Sequence, residues 1–140
     1  MCSSDLRLLT RLLAPKSVAY AHCDLPCGVY DPAQAMIEAQ SVKAIAEKYA
    51  ANEDPAFRVR ALIIKEQRSE LVKHHLWVLW TDYFKAPHFE KYPQLHQLFN
   101  EATKLAGGGG TKGSTDVSVA DQLLGKIEEI SKIFWETKQG

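Results

Sequence analysis

Apolar positions recur at helical spacing along almost the whole chain, and strand-like alternation is nearly absent. Asp31-Pro32 reads as a helix cap followed by proline at the first helical position, where no N–H is needed. Ala35, Ala39, Val42, Ala46 and Tyr49 then step by four, three, four and three residues, the stripe of a helix ending near Asn52. Asp54-Pro55 repeats the start signal, and the pattern predicts a second helix reaching about Lys85, with Pro87 as its stop. Its inward row is expected at Phe57, Ala61, Ile64, Arg68, Leu71, His75 and Val78, so two polar residues interrupt it. Tyr92-Pro93 opens a third helix burying Leu95, Leu98, Phe99, Ala102 and Leu105. A fourth, from about Ser118 to Thr137, buries Ala120, Leu123, Ile127, Ile130 and Phe134. Four amphipathic helices on short antiparallel connections predict an all-α fold, an up-and-down four-helix bundle.

The run from Gly107 to Ser114 has the look of a phosphate loop. It fails that reading, because Gly113 rather than Ser or Thr follows Lys112 and because it follows a helix instead of a strand. A flexible, solvated connector is the expectation there. The chain's 140 residues suffice for one domain with a real core. Lys+Arg and Asp+Glu both total 17, which favours neither a nucleic acid nor a membrane as partner. No segment approaches the roughly 18 consecutive apolar residues of a membrane span.

Residues 1–21 read as a leader or pro-segment removed by proteolysis, leaving a 22–140 domain. Arg7, Arg11 and Lys16 break its apolar stretch, and their loss with Asp5 leaves 14 basic against 16 acidic residues. Ala19-Tyr20-Ala21 fits the small-residue box of an export signal, but the interrupted apolar region favours trimming in the cytoplasm. Cytoplasmic localisation is therefore expected, with export as the alternative.

Directly after that box stands His22-Cys23-Asp24-Leu25-Pro26-Cys27-Gly28-Val29-Tyr30. With Cys2 gone, Cys23 and Cys27 remain, four residues apart. A disulfide between them would close a strained loop, and two thiolates serving a metal are the other reading. Structural zinc would need two further ligands, and neither a haem-attachment nor a C-x-x-C redox spacing is present. What fits is a chelate from the free α-amine of His22, the amide of Cys23 and the thiolates of Cys23 and Cys27. Four strong in-plane donors favour square-planar Ni(II) or Cu(II), with the His22 imidazole free to bind axially. The expected architecture is thus a bundle with an N-terminal metal-binding hook, residues 22–30.

These residues resemble the nickel hook of the nickel-dependent superoxide dismutase family, whose pattern His-Cys-x-x-Pro-Cys-x-x-Tyr stands at an N-terminus freed by proteolysis. The similarity continues through residues 63–68, 73–75, 80–85, 88–93 and 134–138, covers essentially 22–140, and departs at no ligand position. The resemblance implies an enzyme, an antioxidant oxidoreductase converting superoxide to dioxygen and hydrogen peroxide by Ni(II)/Ni(III) cycling, with one nickel ion per subunit. His22, Cys23 and Cys27 are its implied metal ligands, and the peptide bond before Pro26 is a candidate for cis. Glu38 and Arg68 are implied to orient the His22 ring, Tyr30 and Tyr83 to flank the open face of the metal, and Asp24 to position Tyr83. Lys85 is a source of local positive charge. The resemblance also implies a homohexamer and a leader-processing protease as partner.

Other readings stay open beside it. Arg68 serves equally well as a buried structural ion-pair partner, Glu38 as a solvated helix residue, and Tyr83, with Trp77, Trp80 and Phe84, as part of an aromatic core. His74 and His75 read as core or interface histidines, and His88 and His96 are assigned no metal. As a whole, the chain could instead be a non-enzymatic nickel- or copper-binding helical protein for storage or delivery, or a structural bundle with incidental cysteines.

Overall fold

The computed structural model describes residues 28–139. The leader, the ligand-bearing residues 22–27 and the bond before Pro26 lie outside the described residues. Five helices follow: α1 (Ala33–Ala51), α2 (Pro55–Val78), α3 (Ala86–Lys91), α4 (Leu95–Leu105) and α5 (Val117–Gln139), with a π turn at Leu79–Tyr83. The Asp54 start is used as predicted, whereas at α1 the cap position falls on Pro32, one residue later than predicted, with Asp31 just before it. Asp31 Oδ1 accepts from the Ala33 N–H at 2.8 Å, and Asp54 Oδ2 accepts from the Phe57 N–H at 3.2 Å.

The four long helices close a ring in which α1 packs on α2 and α5, and α4 packs on the same two. Cross-helix pairs give the directions. Lys43 meets Asp121 at 2.7 Å, Lys126 meets Glu101 at 2.7 Å, and the Tyr92 hydroxyl donates to Glu136 at 2.8 Å. Neighbours are therefore antiparallel, as expected for an up-and-down bundle. The start of α1, the end of α2, the start of α4 and the end of α5 all meet at one end. The stripes of α1, α4 and α5 turn inward as expected, with Ala35, Val42, Leu95, Leu98, Leu123, Ile127, Ile130 and Phe134 all buried.

In α2 the expected row holds at Ala61 and is wrong beyond it. Its buried positions are Ala61, Lys65, Ser69, Val72 and Leu76, one residue on from the expected Ile64, Arg68, Leu71 and His75. Val59 and Ile63 point outward at 59% and 54% exposure. The reason lies opposite. Helix α4 is only 11 residues long against 24 for α2, and the Gly-rich loop after it fills the rest of that wall. The helix thus faces backbone carbonyls there, which call for donors rather than methyl groups.

Lys65 Nζ donates to the carbonyls of Thr111 and Lys112, and the hydroxyls of Ser69 and Thr111 pair at 2.8 Å. Removal from water pushes the Lys65 pKa down, and the carbonyl contacts offset part of that cost. Lys112 in turn pairs with Glu70 on the helix surface. The run from Gly107 is accordingly a packed plug, not the solvated connector expected from composition. The Thr111 N–H donates to the Leu105 carbonyl at 2.7 Å, doubling the chain back on α4. At Gly110 a Cβ would stand 1.9 Å from that same carbonyl oxygen, whereas at Gly108 it would meet nothing within 4 Å.

Pro87 is the second correction. It lies in the first turn of α3, so it starts a helix that periodicity did not reveal. Regular α geometry in α2 ends at Val78, before the expected Lys85.

The two glycines should part company on substitution. Gly110→Ala is expected to lower stability by about 2 kcal/mol through backbone overlap, and Gly108→Ala to change it by less than about 0.5 kcal/mol. Urea unfolding of both variants checks this; equal midpoints would contradict the packed-plug account.

Candidate metal centre

Of the proposed hook, the last three residues are described, and they enter the bundle where the four helix ends meet. Gly28, directly after Cys27, has φ +71°, a left-handed conformation that a side chain would strain. From Gly28 the chain leads into α1, whose first turn buries Pro32 and takes the Met36 N–H on the Pro32 carbonyl at 3.1 Å. Between these fixed points Tyr30 packs half-buried against the core.

Across from Tyr30, the end of α2 widens. The Phe84 N–H reaches back five residues to the Leu79 carbonyl at 3.0 Å, and the Thr81 hydroxyl donates to the Trp77 carbonyl at 2.7 Å. The extra residue in this turn lets Leu79 and Phe84 both reach the core with Tyr83 beside them. The Tyr83 ring lies 5.6 Å from Tyr30, 4.9 Å from Phe84 and 4.4 Å from Phe134, and stacks on His88 at 5.8 Å and 10°. Rings on several sides fix its plane. Its hydroxyl pairs with Thr137 Oγ1 at 2.7 Å, and the Lys138 ammonium lies 5.1 Å over the ring.

Two turns into the bundle, Arg68 Nη1 on α2 donates to both carboxylate oxygens of Glu38 on α1, at 3.2 and 3.1 Å. Glu38 keeps 16% of its side chain exposed and Arg68 38%. Tyr30 precedes α1 by three residues and Glu38 lies in its second turn, so the phenol pair and the ion pair share the end at which the hook joins.

The structure thus brings together Tyr30 with Tyr83 and Glu38 with Arg68. Lys85 is tied locally, its ammonium donating to the Asp82 carbonyl at 2.9 Å. His22, Cys23, Asp24 and Cys27 lie outside the described residues. Among the described residues no three His, Cys, Asp or Glu side chains gather as a metal site. His96 accepts from Trp80 Nε1 at 3.0 Å and stacks on Phe89 at 3.8 Å, and the His74 and His75 rings meet edge to face at 5.6 Å. Trp77 and Trp80 are 41% and 38% exposed, so of the aromatic run only Phe84 is fully core.

Sequence reasoning missed Thr137, Lys138 and His88 at this end. The signal for the first two was available, since Thr137 and Lys138 follow the core residue Phe134 by three and four positions and share its helix face. His88 was invisible because α3 was.

Comparison with known proteins places nearly the whole chain beside one set of relatives. A family model described as nickel-containing superoxide dismutase matches residues 17–138. The nickel superoxide dismutase of Streptomyces seoulensis is 63% identical over 132 residues, covering 94% of this chain and 99% of that protein. That of Streptomyces coelicolor is 61% identical over the same length and coverage. A crystal structure of a Ni-containing superoxide dismutase, with nickel ligation corresponding to the oxidized state, aligns at TM-score 0.82 and 64% identity. It spans 85% of this chain and 100% of that one.

Arg68→Met strands a mostly buried carboxylate and is expected to lower stability at neutral pH by about 1–3 kcal/mol. Adding Glu38→Gln should recover most of the loss, because the neutral amide needs no counter-charge. Thermal melts of the single and double variants decide it; a double variant no better than Arg68→Met alone would show that the pair is not coupled.

Proposed function

The chain belongs to the nickel-containing superoxide dismutase family, and we propose that the end of the bundle joined by residues 22–30 is its active site. The protein is an enzyme, a nickel-dependent superoxide dismutase. Two superoxide ions and two protons yield one dioxygen and one hydrogen peroxide. When bound, nickel would supply the Ni(II)/Ni(III) couple that this disproportionation needs.

The residues present fit such an ion. The hook offers two thiolates, a deprotonated amide, a terminal amine and an imidazole, and the described residues hold no rival cluster. His22 would hold nickel through its α-amine and imidazole, Cys23 through amide and thiolate, and Cys27 through its thiolate. Thiolate and amide donors are electron-rich and stabilise the higher oxidation state. Glu38 would accept from the far ring nitrogen of His22 and fix its tautomer, with Arg68 holding the carboxylate in place. Tyr30 and Tyr83 would restrict entry to a small ion and order water beside it, and Asp24 would help position Tyr83. Positive charge near the entry comes from Lys85, joined by Lys138 over the Tyr83 ring.

Removal of residues 1–21 by a protease is part of this reading. An uncut chain would occupy the nitrogen of residue 22 as an amide. Support comes from coverage: the solved relative is matched along its whole length by 85% of this chain, the share made up by residues 22–140. The remaining features, a homohexamer with hooks near subunit contacts and a cytoplasmic location, belong to the same proposal. The outward Val59 and Ile63 on α2 favour self-association. No helix among the described residues is long and apolar enough to cross a membrane.

The observation that carries the reading is the hook sequence joined to a bundle end where Tyr30 meets Tyr83. Its test is superoxide consumption by the chain beginning at His22, with and without nickel. Nickel-dependent consumption is expected, and its absence would end the proposal. A chain verified to begin at Met1 should be inactive even with nickel, and full activity there would refute the role of the terminal amine. Glu38→Gln is expected to cut the nickel-dependent rate about 10- to 100-fold, measured at fixed nickel content per subunit.

A further inference from the structure

One hydroxyl pair at this end has a direction that follows from counting protons. A threonine hydroxyl carries one proton and accepts with its lone pairs, and a carbonyl oxygen only accepts. Thr137 Oγ1 stands 2.5 Å from the Phe134 carbonyl one turn back in α5. Two oxygens at that separation repel unless a proton lies between them, and only Thr137 can supply it. The threonine proton is therefore committed to its own helix. The 2.7 Å contact between Thr137 Oγ1 and the Tyr83 hydroxyl then has a single assignment, with Tyr83 donating and Thr137 accepting.

Building on the proposed active site, we infer that Thr137 is a positioning residue that commits the Tyr83 proton to α5, so that toward the entry the phenol oxygen acts only as a hydrogen-bond acceptor. Superoxide is an anion whose oxygens accept hydrogen bonds and donate none. A phenol in this state cannot dock it directly. It can accept from an ordered water, whose second proton is then free for the anion, or from the protonated oxygen of the peroxide product. The ring is held for this task by Phe84, Phe134 and His88, so the phenol oxygen stays beside Thr137 and only its proton can reorient. Specificity follows: Tyr83 selects for a water-bridged anion and against direct anion binding at the phenol.

Thr137→Val keeps the shape and removes the acceptor, releasing the Tyr83 proton toward the entry. Thr137→Ser keeps the acceptor. The probe of the hydrogen bond is the Cζ carbon resonance of Tyr83 in the reduced, nickel-loaded chain beginning at His22, assigned with Tyr83→Phe. The expected result is a shifted resonance in Thr137→Val and a near-native one in Thr137→Ser. The functional probe is inhibition by azide, a small anion. It should tighten about three- to tenfold in Thr137→Val, the scale of one added hydrogen bond, return to the native value in Thr137→Ser, and lose its sensitivity to Thr137→Val when Tyr83→Phe is also present. An unmoved resonance in Thr137→Val, or azide inhibition that stays the same or weakens, overturns the inference. The resonance is read without turnover. An inactive native protein therefore ends the functional reading alone, and an active one with an unresponsive Tyr83 ends this inference alone.

Discussion

The geometry at the hook end depends on the wide turn at Leu79–Tyr83. Regular helix through this stretch would place either Leu79 or Phe84 well, because inward positions recur at three and four residues and not at five. The five-residue hydrogen bond from Phe84 to Leu79 accommodates the extra residue. Leu79 then seals the core below while Phe84 packs against Phe99 at 5.6 Å and Phe134 at 6.4 Å. Tyr83, between them, has its apolar body in the core and its hydroxyl on α5. The same turn frees the chain for the short helix α3, which brings His88 under the Tyr83 ring. A local departure from ideal helix geometry thus supplies what an ideal bundle end lacks, a polar atom fixed in three dimensions.

At the middle of the bundle a different device completes the wall. Helix α4 is too short to cover α2, and backbone takes the place of side chains. Backbone in a core must have its polar groups satisfied, which explains a buried lysine and serine in an otherwise apolar ring. The glycines follow from the same constraint. Gly110 admits the doubled-back chain against the Leu105 carbonyl, a distance no side chain tolerates. The polar row of α2 and the glycine run are one feature seen from its two sides.

Legibility in the sequence divided along this line. Helices whose neighbours are helices were readable, since side chain packed on side chain imposes the periodicity that α1, α4 and α5 display. Helix α2 was misread by one residue, because Lys65 and Ser69 face backbone while Val59 and Ile63 face outward, reversing the usual sense of polar and apolar. The π turn and α3 left no trace in a pattern built on 3.6 residues, and Pro87 signals a start as readily as a stop. At the site, Glu38 with Arg68 and Tyr30 with Tyr83 were reached through resemblance, and each pair does meet. Composition alone would have left Glu38 on the surface. Thr137's place on the Phe134 face was legible from spacing, but the direction of donation it imposes on Tyr83 was not.

Ligands drawn from one short peptide change what the bundle has to do. In a bundle that binds metal at its centre, the ion joins distant helices and its ligands interrupt the core. With the proposed ligand set confined to His22, Cys23 and Cys27, the ion joins nothing distant, and the ring of Ala39, Val72, Leu76, Leu123, Ile127 and Ile130 is closed without it. The bundle is then free to be judged by how well it orients groups around the hook. It answers with charge on one side, through the Arg68–Glu38 pair, and with fixed phenols on the other. Neither device contributes much to holding the helices together, since the ion pair is partly solvated and the Tyr83 hydroxyl replaces a hydrogen bond it would otherwise make to water. Their placement at the convergence of four helix ends is what gives them value: each is anchored on a different pair of helices, so the orientation they impose inherits the rigidity of the whole ring.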